Sequence, residues 1–132
     1  MGGATNHRLS LSAEGLIKDN HIIASGGIAL AFKALKEKFP GKPIEVEVDS
    51  LEQLTQALAA GAQLVLLDNM SPQLCREAVA QVAGKCKLEA SGGITLENAK
   101  AYADTGVDYL AIGALTHSAP ALDIALDFRK GK

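Results

Sequence analysis

The sequence has few aromatic residues and no excess of positive charge. Its 132 residues include no Trp, two Tyr and three Phe, and the formal net charge is −2. A nucleic-acid-binding surface needs a basic stripe or a platform of aromatic side chains, and this composition supplies neither. We therefore expect no nucleic-acid partner. An anionic small molecule is not excluded, because local cations and backbone N–H groups can still bind one.

Cysteines and long apolar runs are also scarce. Cys75 and Cys86 are the two cysteines, and there is no CxxC pair or His/Cys cluster of the kind that holds structural zinc. This usage predicts reduced thiols in a cytoplasmic protein rather than a disulfide. No apolar run approaches transmembrane length and no amino-terminal segment reads as a signal peptide, so we expect no membrane partner.

Short apolar runs alternate with helical patterns along nearly the whole chain, which predicts a single α/β domain over residues 1–132. Five successive βα units imply a parallel sheet with helical crossovers. The sheet could form a partial (β/α) barrel or be rearranged to a flavodoxin-like open sheet. The predicted strands are rich in Val, Ile or Leu, as in strands buried on both faces, and are Leu16–Asn20, Ile44–Asp49, Leu64–Asp68, Lys87–Ala90 and Tyr109–Ile112.

Capping residues mark where the predicted helices begin and end. Ser50 followed by Gln53 is typical of a capping box, and Ser71-Pro72 places an N-cap before a first-turn proline. The other predicted starts are Ile28, Thr95 and either Pro120 or Asp123. The predicted stops are Pro40-Gly41, Gly61, Gly84, Gly106 and about Arg129.

Glycine-containing segments follow the last two predicted strands, at the sheet edge where both architectures bind ligands. Ser91-Gly92-Gly93 precedes the helix expected at Thr95, so its hydroxyl and N–H groups can hold phosphate oxygens beside a helix N-terminus. Gly113 and then His117 follow the fifth strand. The two loops together predict a phosphate site. The alternative is two ordinary glycine-containing turns.

Carboxylates occur near the ends of the second and third strands. Glu47 and Asp68 could hold ribose hydroxyls, bind Mg²⁺ or act as an acid/base pair. The alternative is that both are strand-end acids that accept N–H bonds from loops. A functional role is favoured, because carboxylates in strands rich in Val and Leu are costly to desolvate. Alternation places Glu45, Glu47 and Asp49 on one side of their strand, which would be the interior of a barrel.

Other charged residues are less informative on their own. Lys18 could bind an anion or extend to solvent from the rim of the sheet. Glu89 could face the same site or form a salt bridge. His7-Arg8 is a basic pair near the amino terminus, and alone it indicates little.

Six segments, taken together, resemble the quinolinate phosphoribosyltransferase family over essentially the whole chain. The family converts quinolinate and phosphoribosyl pyrophosphate to nicotinate mononucleotide, pyrophosphate and CO₂ with Mg²⁺, in the de novo synthesis of NAD. The segments have the family's order and fitting intervals, and they are GGATNHR (2–8), LIKDNH (16–21), EVEV (45–48), LLDNM (66–70), EASGGIT (89–95) and GALTHSAPALD (113–123).

The resemblance implies three groups of site residues. His7, Arg8 and Lys18 would face the carboxylates of quinolinate or the pyrophosphate, and a planar Arg suits carboxylate recognition. Glu47 and Asp68 would hold ribose hydroxyls and Mg²⁺, and with Lys18 they are the expected catalytic residues. The 5′-phosphate would be held by Ser91, Gly92, Gly93, Gly113 and His117.

The resemblance also shows a departure. Family members are much longer and carry an amino-terminal domain and an early barrel strand with a Thr-Arg-Lys-type motif. We therefore expect a truncated barrel that has weak or no activity alone and forms a homo-oligomer through exposed sheet edges. The alternative functions are a non-catalytic phosphate-binding scaffold derived from this barrel, or another phosphate-binding barrel enzyme such as a thiamin-phosphate synthase relative.

Overall fold

The computed structural model of the chain describes His7, Ser10, residues 13–117, Ala121, Leu122 and Ile124. Five parallel strands form one sheet in the order in which they occur along the chain. Sequential order is that of a barrel wall, whereas a flavodoxin-like sheet places its first strand between the second and third. The structure therefore has the barrel-arc arrangement. The strands are β1 (Gly15–Ile17), β2 (Ile44–Val48), β3 (Leu64–Asp68), β4 (Lys87–Ser91) and β5 (Tyr109–Leu110).

Helices follow each described strand. None of the described helices is both long and apolar enough to cross a membrane. The helices are α1 (Asp19–Ser25), α2 (Ile28–Lys38), α3 (Leu51–Ala60), α4 (Pro72–Val82), α5 (Ala99–Ala103) and α6 (Ala114–His117).

The predicted caps of α3 and α4 are confirmed. The Oγ atoms of Ser50 and Ser71 accept hydrogen bonds from the N–H groups three residues later. Gly61 ends α3 in the left-handed region, at φ 89°. The reciprocal half of the capping box differs, because Gln53 Oε1 accepts from the N–H of Asp49 rather than from that of Ser50.

The first predicted strand ends early. Leu16–Asn20 was expected as one strand, but β1 stops at Ile17 and α1 begins at Asp19. The N–H of Lys18 donates to Nδ1 of His21 at 3.0 Å, and the carbonyl of Lys18 accepts the first helical bond, from Ile22. These local bonds start a helix in a segment too short to show helical periodicity.

The predictions for the last two helices also need correction. The helix expected from Thr95 begins at Ala99, because Asn98 Oδ1 accepts from the N–H of Thr95 and organises a turn there. The segment after β5, expected to be a loop, contains α6. The helix predicted from Pro120 or Asp123 to about Arg129 lies outside the described residues.

The two faces of the sheet differ in chemistry. One face packs on the helices and forms the core, with Leu54 and Ala57 of α3 and Cys75 and Ala78 of α4 fully buried. Its strand residues are 0 to 2% exposed and apolar: Val46, Val48, Val65, Leu67, Leu88 and Ala90. Strand alternation directs the intervening residues to the opposite face, which is the interior face of a barrel. Those residues include Glu45, Glu47, Leu64, Leu66, Asp68, Glu89 and Ser91.

Candidate functional site

Lys18 and Glu47 form an ion pair at the carboxyl end of the first two strands. Ile17 pairs with Val46 in the sheet, so the next position along β1 brings Lys18 beside Glu47. The Nζ of Lys18 lies 3.1 Å from Oε2 of Glu47, and 51% of the lysine side chain is exposed. The pair thus presents a cation and a carboxylate together on the interior face, with the cation within reach of a ligand.

Asp68 lies at the same face, one step further along the sheet. Glu47 pairs with Leu66, so Asp68 stands two residues beyond the level of Glu47. Asn69 Nδ2 donates to Oδ2 of Asp68 at 2.8 Å, which orients the carboxylate. Asn69 itself has φ 53°, and its N–H donates to the carbonyl of Ser91 at 2.9 Å. This bond ties the end of β3 to the glycine loop after β4.

The loop Ser91-Gly92-Gly93 turns sharply against Asn69. Gly92 and Gly93 have φ values of 96° and 60°, a region that glycine adopts with little strain. A Cβ on Gly92 would collide with the side-chain Oδ1 of Asn69 and lie 2.9 Å from its backbone N, whereas a Cβ on Gly93 would meet nothing within 4 Å. Gly92 is therefore required for the close approach of the two loops, and Gly93 mainly for its backbone conformation.

The helix expected directly after this loop begins later. Helix α5 starts at Ala99 and has only five residues. A hydrogen bond from Asn98 Nδ2 to the carbonyl of Gly93, at 3.0 Å, holds the loop instead. The backbone of the loop, rather than a helix N-terminus, is what the structure offers to a ligand here.

Gly113 and His117 follow the neighbouring strand, and His117 is the last residue of α6. The N–H of Ala111 donates to the carbonyl of Ala90, so the chain leaves β5 beside the glycine loop. His117 is exposed in α6, and its N–H donates to the carbonyl of Gly113 at 2.8 Å. The two loops that the sequence singled out thus follow adjacent strands.

His7 lies against two carboxylates that the sequence did not assign to the site. Its Nε2 is 3.7 Å from Oε2 of Glu45 and 3.5 Å from Oε1 of Glu89. Two signals indicated this contact. They are the alternation of Glu45 and Glu47 in β2 and the expectation that Glu89 faces the site or forms a salt bridge, and the contact of Glu89 with His7 is such an ion pair. Arg8 lies outside the described residues.

The electrostatics of the interior face centre on Glu89. Burial raises the pKa of its carboxyl group, the charge of His7 opposes that shift, and the charge of Glu14 adds to it.

A contrasting pair lies at the opposite end of β4, where Lys87 Nζ is 2.6 Å from Asp108 Oδ1. There burial acts to raise the pKa of Asp108, but hydrogen bonds from Lys87 and the Leu88 N–H, with the charge of Lys87, lower it overall.

These features define a class of protein. Parallel strands in barrel order, with a glycine loop, two carboxylates and a lysine at their carboxyl ends, form the wall of a (β/α) barrel with polar groups where such barrels carry their ligand sites. The chain matches the family described as quinolinate phosphoribosyl transferase, C-terminal domain, over residues 1–127. The chain belongs to this family.

Individual relatives agree with this assignment. The carboxylating nicotinate-nucleotide pyrophosphorylase of Mycobacterium leprae is 52% identical over 130 residues, which cover 96% of this chain and 46% of the relative. The human protein of the same name is 40% identical over 131 residues and is covered to 44%. The chain thus spans less than half the length of these two relatives.

Solved structures share the fold. NadC from Streptococcus pyogenes superposes with a TM-score of 0.86 at 40% identity, over 92% of this chain and 43% of that chain. The nicotinate-nucleotide pyrophosphorylase of Francisella tularensis gives 0.84 at 46% identity, over 87% and 41%. A thiamine phosphate pyrophosphorylase from Pyrococcus furiosus is more distant, with a TM-score of 0.58 over 61% of this chain.

Proposed function

We propose that the chain forms the phosphoribosyl-binding part of a carboxylating quinolinate phosphoribosyltransferase. The reaction joins quinolinate to the ribose of phosphoribosyl pyrophosphate and releases pyrophosphate and CO₂, leaving nicotinate mononucleotide. The observation that carries the proposal is the ion pair of Lys18 and Glu47, on the same face and at the same edge as Asp68 and the glycine loop. Membership of the family supports it.

The proposed substrate orientation follows the order of groups along this edge. The glycine loop and the loop with Gly113 and His117 hold the 5′-phosphate through backbone N–H groups and the imidazole. Glu47 and Asp68 accept hydrogen bonds from the ribose hydroxyls. Lys18, with His7 and Arg8, faces the negative charges of pyrophosphate and of the quinolinate carboxylates.

The proposed chemistry depends mainly on positioning and charge. The bond between ribose C1 and pyrophosphate breaks, its electron pair leaves with pyrophosphate, and positive charge develops on C1. The carboxylates of Glu47 and Asp68 stabilise that charge while the quinolinate ring nitrogen forms its bond to C1. As CO₂ leaves, the electrons of the carbon–carboxylate bond stay on the ring carbon, where the adjacent positive nitrogen stabilises them, and a proton then takes the place of CO₂.

Magnesium is part of this proposal. Mg²⁺ prefers oxygen ligands and commonly takes one or two carboxylates together with substrate phosphates. The half-buried carboxylates of Glu47 and Asp68 offer such oxygens on one face at successive levels, so these residues fit the ion. When bound, Mg²⁺ supplies positive charge to the pyrophosphate as it leaves.

We further propose that the 132-residue chain needs another part of the family fold for normal turnover, and that copies associate through the sheet edges. No described strand pairs with the outer edge of β1 or of β5, and exposed strand edges favour association. A reduced, cytoplasmic environment fits the free, buried thiols of Cys75 and Cys86.

The test is an assay for nicotinate mononucleotide with three samples. They are the chain alone, the chain with the separately expressed amino-terminal part of the M. leprae relative, and that part alone. Turnover only in the mixture supports the proposal. Turnover by the chain alone at the rate of a full-length relative contradicts the need for a second part. Absence of turnover together with absence of phosphoribosyl pyrophosphate binding favours a non-catalytic scaffold.

A further inference from the structure

Three polar side chains meet on the interior face of the sheet, one of them two residues before the glycine loop in β4. His7 Nε2 and carboxylate oxygens of Glu45 and Glu89 all lie within 4.8 Å of one another. The three residues are far apart in the sequence, and they meet because β2 and β4 direct alternate residues to the same face. Among the described residues, no other three side chains of His, Cys, Asp or Glu converge in this way.

The two carboxylates are buried, whereas about half of the His7 side chain is exposed to solvent. Side-chain exposure is 2% for Glu45 and 11% for Glu89, against 46% for His7. The distances of 3.7 and 3.5 Å are too long for strong hydrogen bonds but are within the range of histidine–carboxylate ion pairs. The Nε2 edge of the ring thus contacts the two carboxylates, while about half of the side chain stays accessible to a ligand.

Glu89 is poorly placed for a purely structural role. Its Oε1 is buried and makes no hydrogen bond with any of the described residues. A buried carboxylate oxygen without a hydrogen bond is costly, and an apolar residue of similar size would generally stabilise the fold as well or better. The carboxylate is therefore better explained by its neighbour His7 than by the stability of β4.

We propose that Glu45 and Glu89 are positioning residues that hold the imidazole of His7 at the interior face so that its exposed part meets an anionic substrate group. Carboxylates that contact one nitrogen of a histidine commonly fix the orientation of its ring. This inference rests on the proposed function, in which His7 faces a carboxylate of quinolinate. It adds two residues that do not touch the substrate themselves.

The test uses the whole 132-residue chain and the variants Glu45→Gln and Glu89→Gln, which keep the shape of the side chain and remove its charge. Glu37→Gln is the matched control, because Glu37 is an exposed carboxylate on α2 that pairs with Lys33. A long-range ¹H–¹⁵N spectrum reports the ring nitrogens of His7, His21 and His117. A His7→Gln variant assigns the His7 signals. Quinolinate affinity and melting temperature are measured on the same samples.

We expect both site variants, but not the control, to change the His7 ring signals and to weaken quinolinate binding. The loss should be about tenfold, because removal of a group that orients a histidine ligand weakens binding by at least about this factor. Melting temperatures of the site variants should be equal to or above that of the parent chain. Unchanged His7 signals in both variants, or a lower melting temperature with unchanged signals, would overturn the proposal.

Two further outcomes are decisive. Tight binding of Zn²⁺ to the parent chain that is lost in both site variants would overturn the positioning role in favour of a metal centre. If the parent chain binds no quinolinate, the proposed function fails at this site. In that case, the ring signals of His7 in the parent chain and the two site variants still show whether Glu45 and Glu89 orient the imidazole.

Discussion

The two faces of the sheet are formed by the same strands but carry different kinds of side chain. On the helix-facing side, Val46, Leu67 and Ala90 are fully buried among apolar neighbours. On the interior side, Glu45 and Glu89 occupy buried positions in β2 and β4, where an apolar residue would cost less. The comparison teaches that apolar burial is concentrated on the helix-facing side, whereas the interior side buries carboxylates that are costly to desolvate.

The largest expected effect is on the helix-facing side. Leu67→Ala removes a side chain that is 0% exposed, and such substitutions lower the free energy of unfolding by about 2–5 kcal/mol. Urea unfolding measures the change. Leu96→Ala is the control, since Leu96 is 87% exposed and its truncation should change stability by less than about 0.5 kcal/mol. Similar losses in the two variants would show that Leu67 is not part of the core.

A smaller effect is expected in the glycine loop, where two neighbours provide a matched pair. Gly93→Ala meets no atom and should cost about 1–2 kcal/mol for its left-handed backbone. Gly92→Ala adds a collision with Asn69, so it should lower stability further and weaken the binding of phosphoribosyl pyrophosphate more strongly. Unfolding and calorimetric titration check both. Equal losses in the two variants would contradict the close contact of the loop with Asn69.

The smallest effects are on the pH dependence of stability, and the first of them is contributed by Glu89. Burial raises the pKa of this group in the folded state, with His7 opposing the shift. As the pH rises above the usual carboxyl pKa, the unfolded chain loses this proton first, so the contribution of Glu89 to stability falls until the folded pKa is passed. Glu89→Gln should remove this decline, seen by unfolding at several pH values. A steeper decline in the variant would refute the stated sign.

Asp108 provides the opposite case at the other end of β4. Burial acts to raise the pKa of Asp108. Hydrogen bonds from Lys87 and from the Leu88 N–H outweigh this effect, and the pKa is lowered overall. Its contribution to stability is therefore present above the usual carboxyl pKa and is lost as the pH falls through the lowered folded value. Asp108→Asn should flatten the acid side of the stability profile. An unchanged acid limb would show that this pair does not stabilise the fold.

Much of the sheet could be predicted because its strands carry a strong local signal. The predicted bounds of β3 are those observed, and β2 and β4 differ from prediction by one residue. The start of α1 was not predicted. A hydrogen bond between Lys18 and His21 determines where this helix begins, and its seven residues are too few to show a helical periodicity of apolar residues. The delayed start of α5 likewise depends on the side chain of Asn98.

The site was only partly predictable for a different reason. The pairing of Lys18 with Glu47 follows from strands that are neighbours in sequence, so strand-end reasoning brought the two residues to one edge. The contact of His7 with Glu89 joins residues more than 80 positions apart in the chain. It depends on the register and curvature of the sheet, and periodicity alone does not contain that information.

The central claim is that the carboxyl ends of the strands bind phosphoribosyl pyrophosphate on the interior face. The most direct measurement is an NMR titration of the ¹⁵N-labelled chain with phosphoribosyl pyrophosphate and Mg²⁺. We predict that the amide signals of Gly92, Gly93 and Gly113 shift together, along with those of Glu47 and Asp68. Shifts confined to the helix-facing side around α2 and α3, or no shifts at millimolar ligand, would contradict the account.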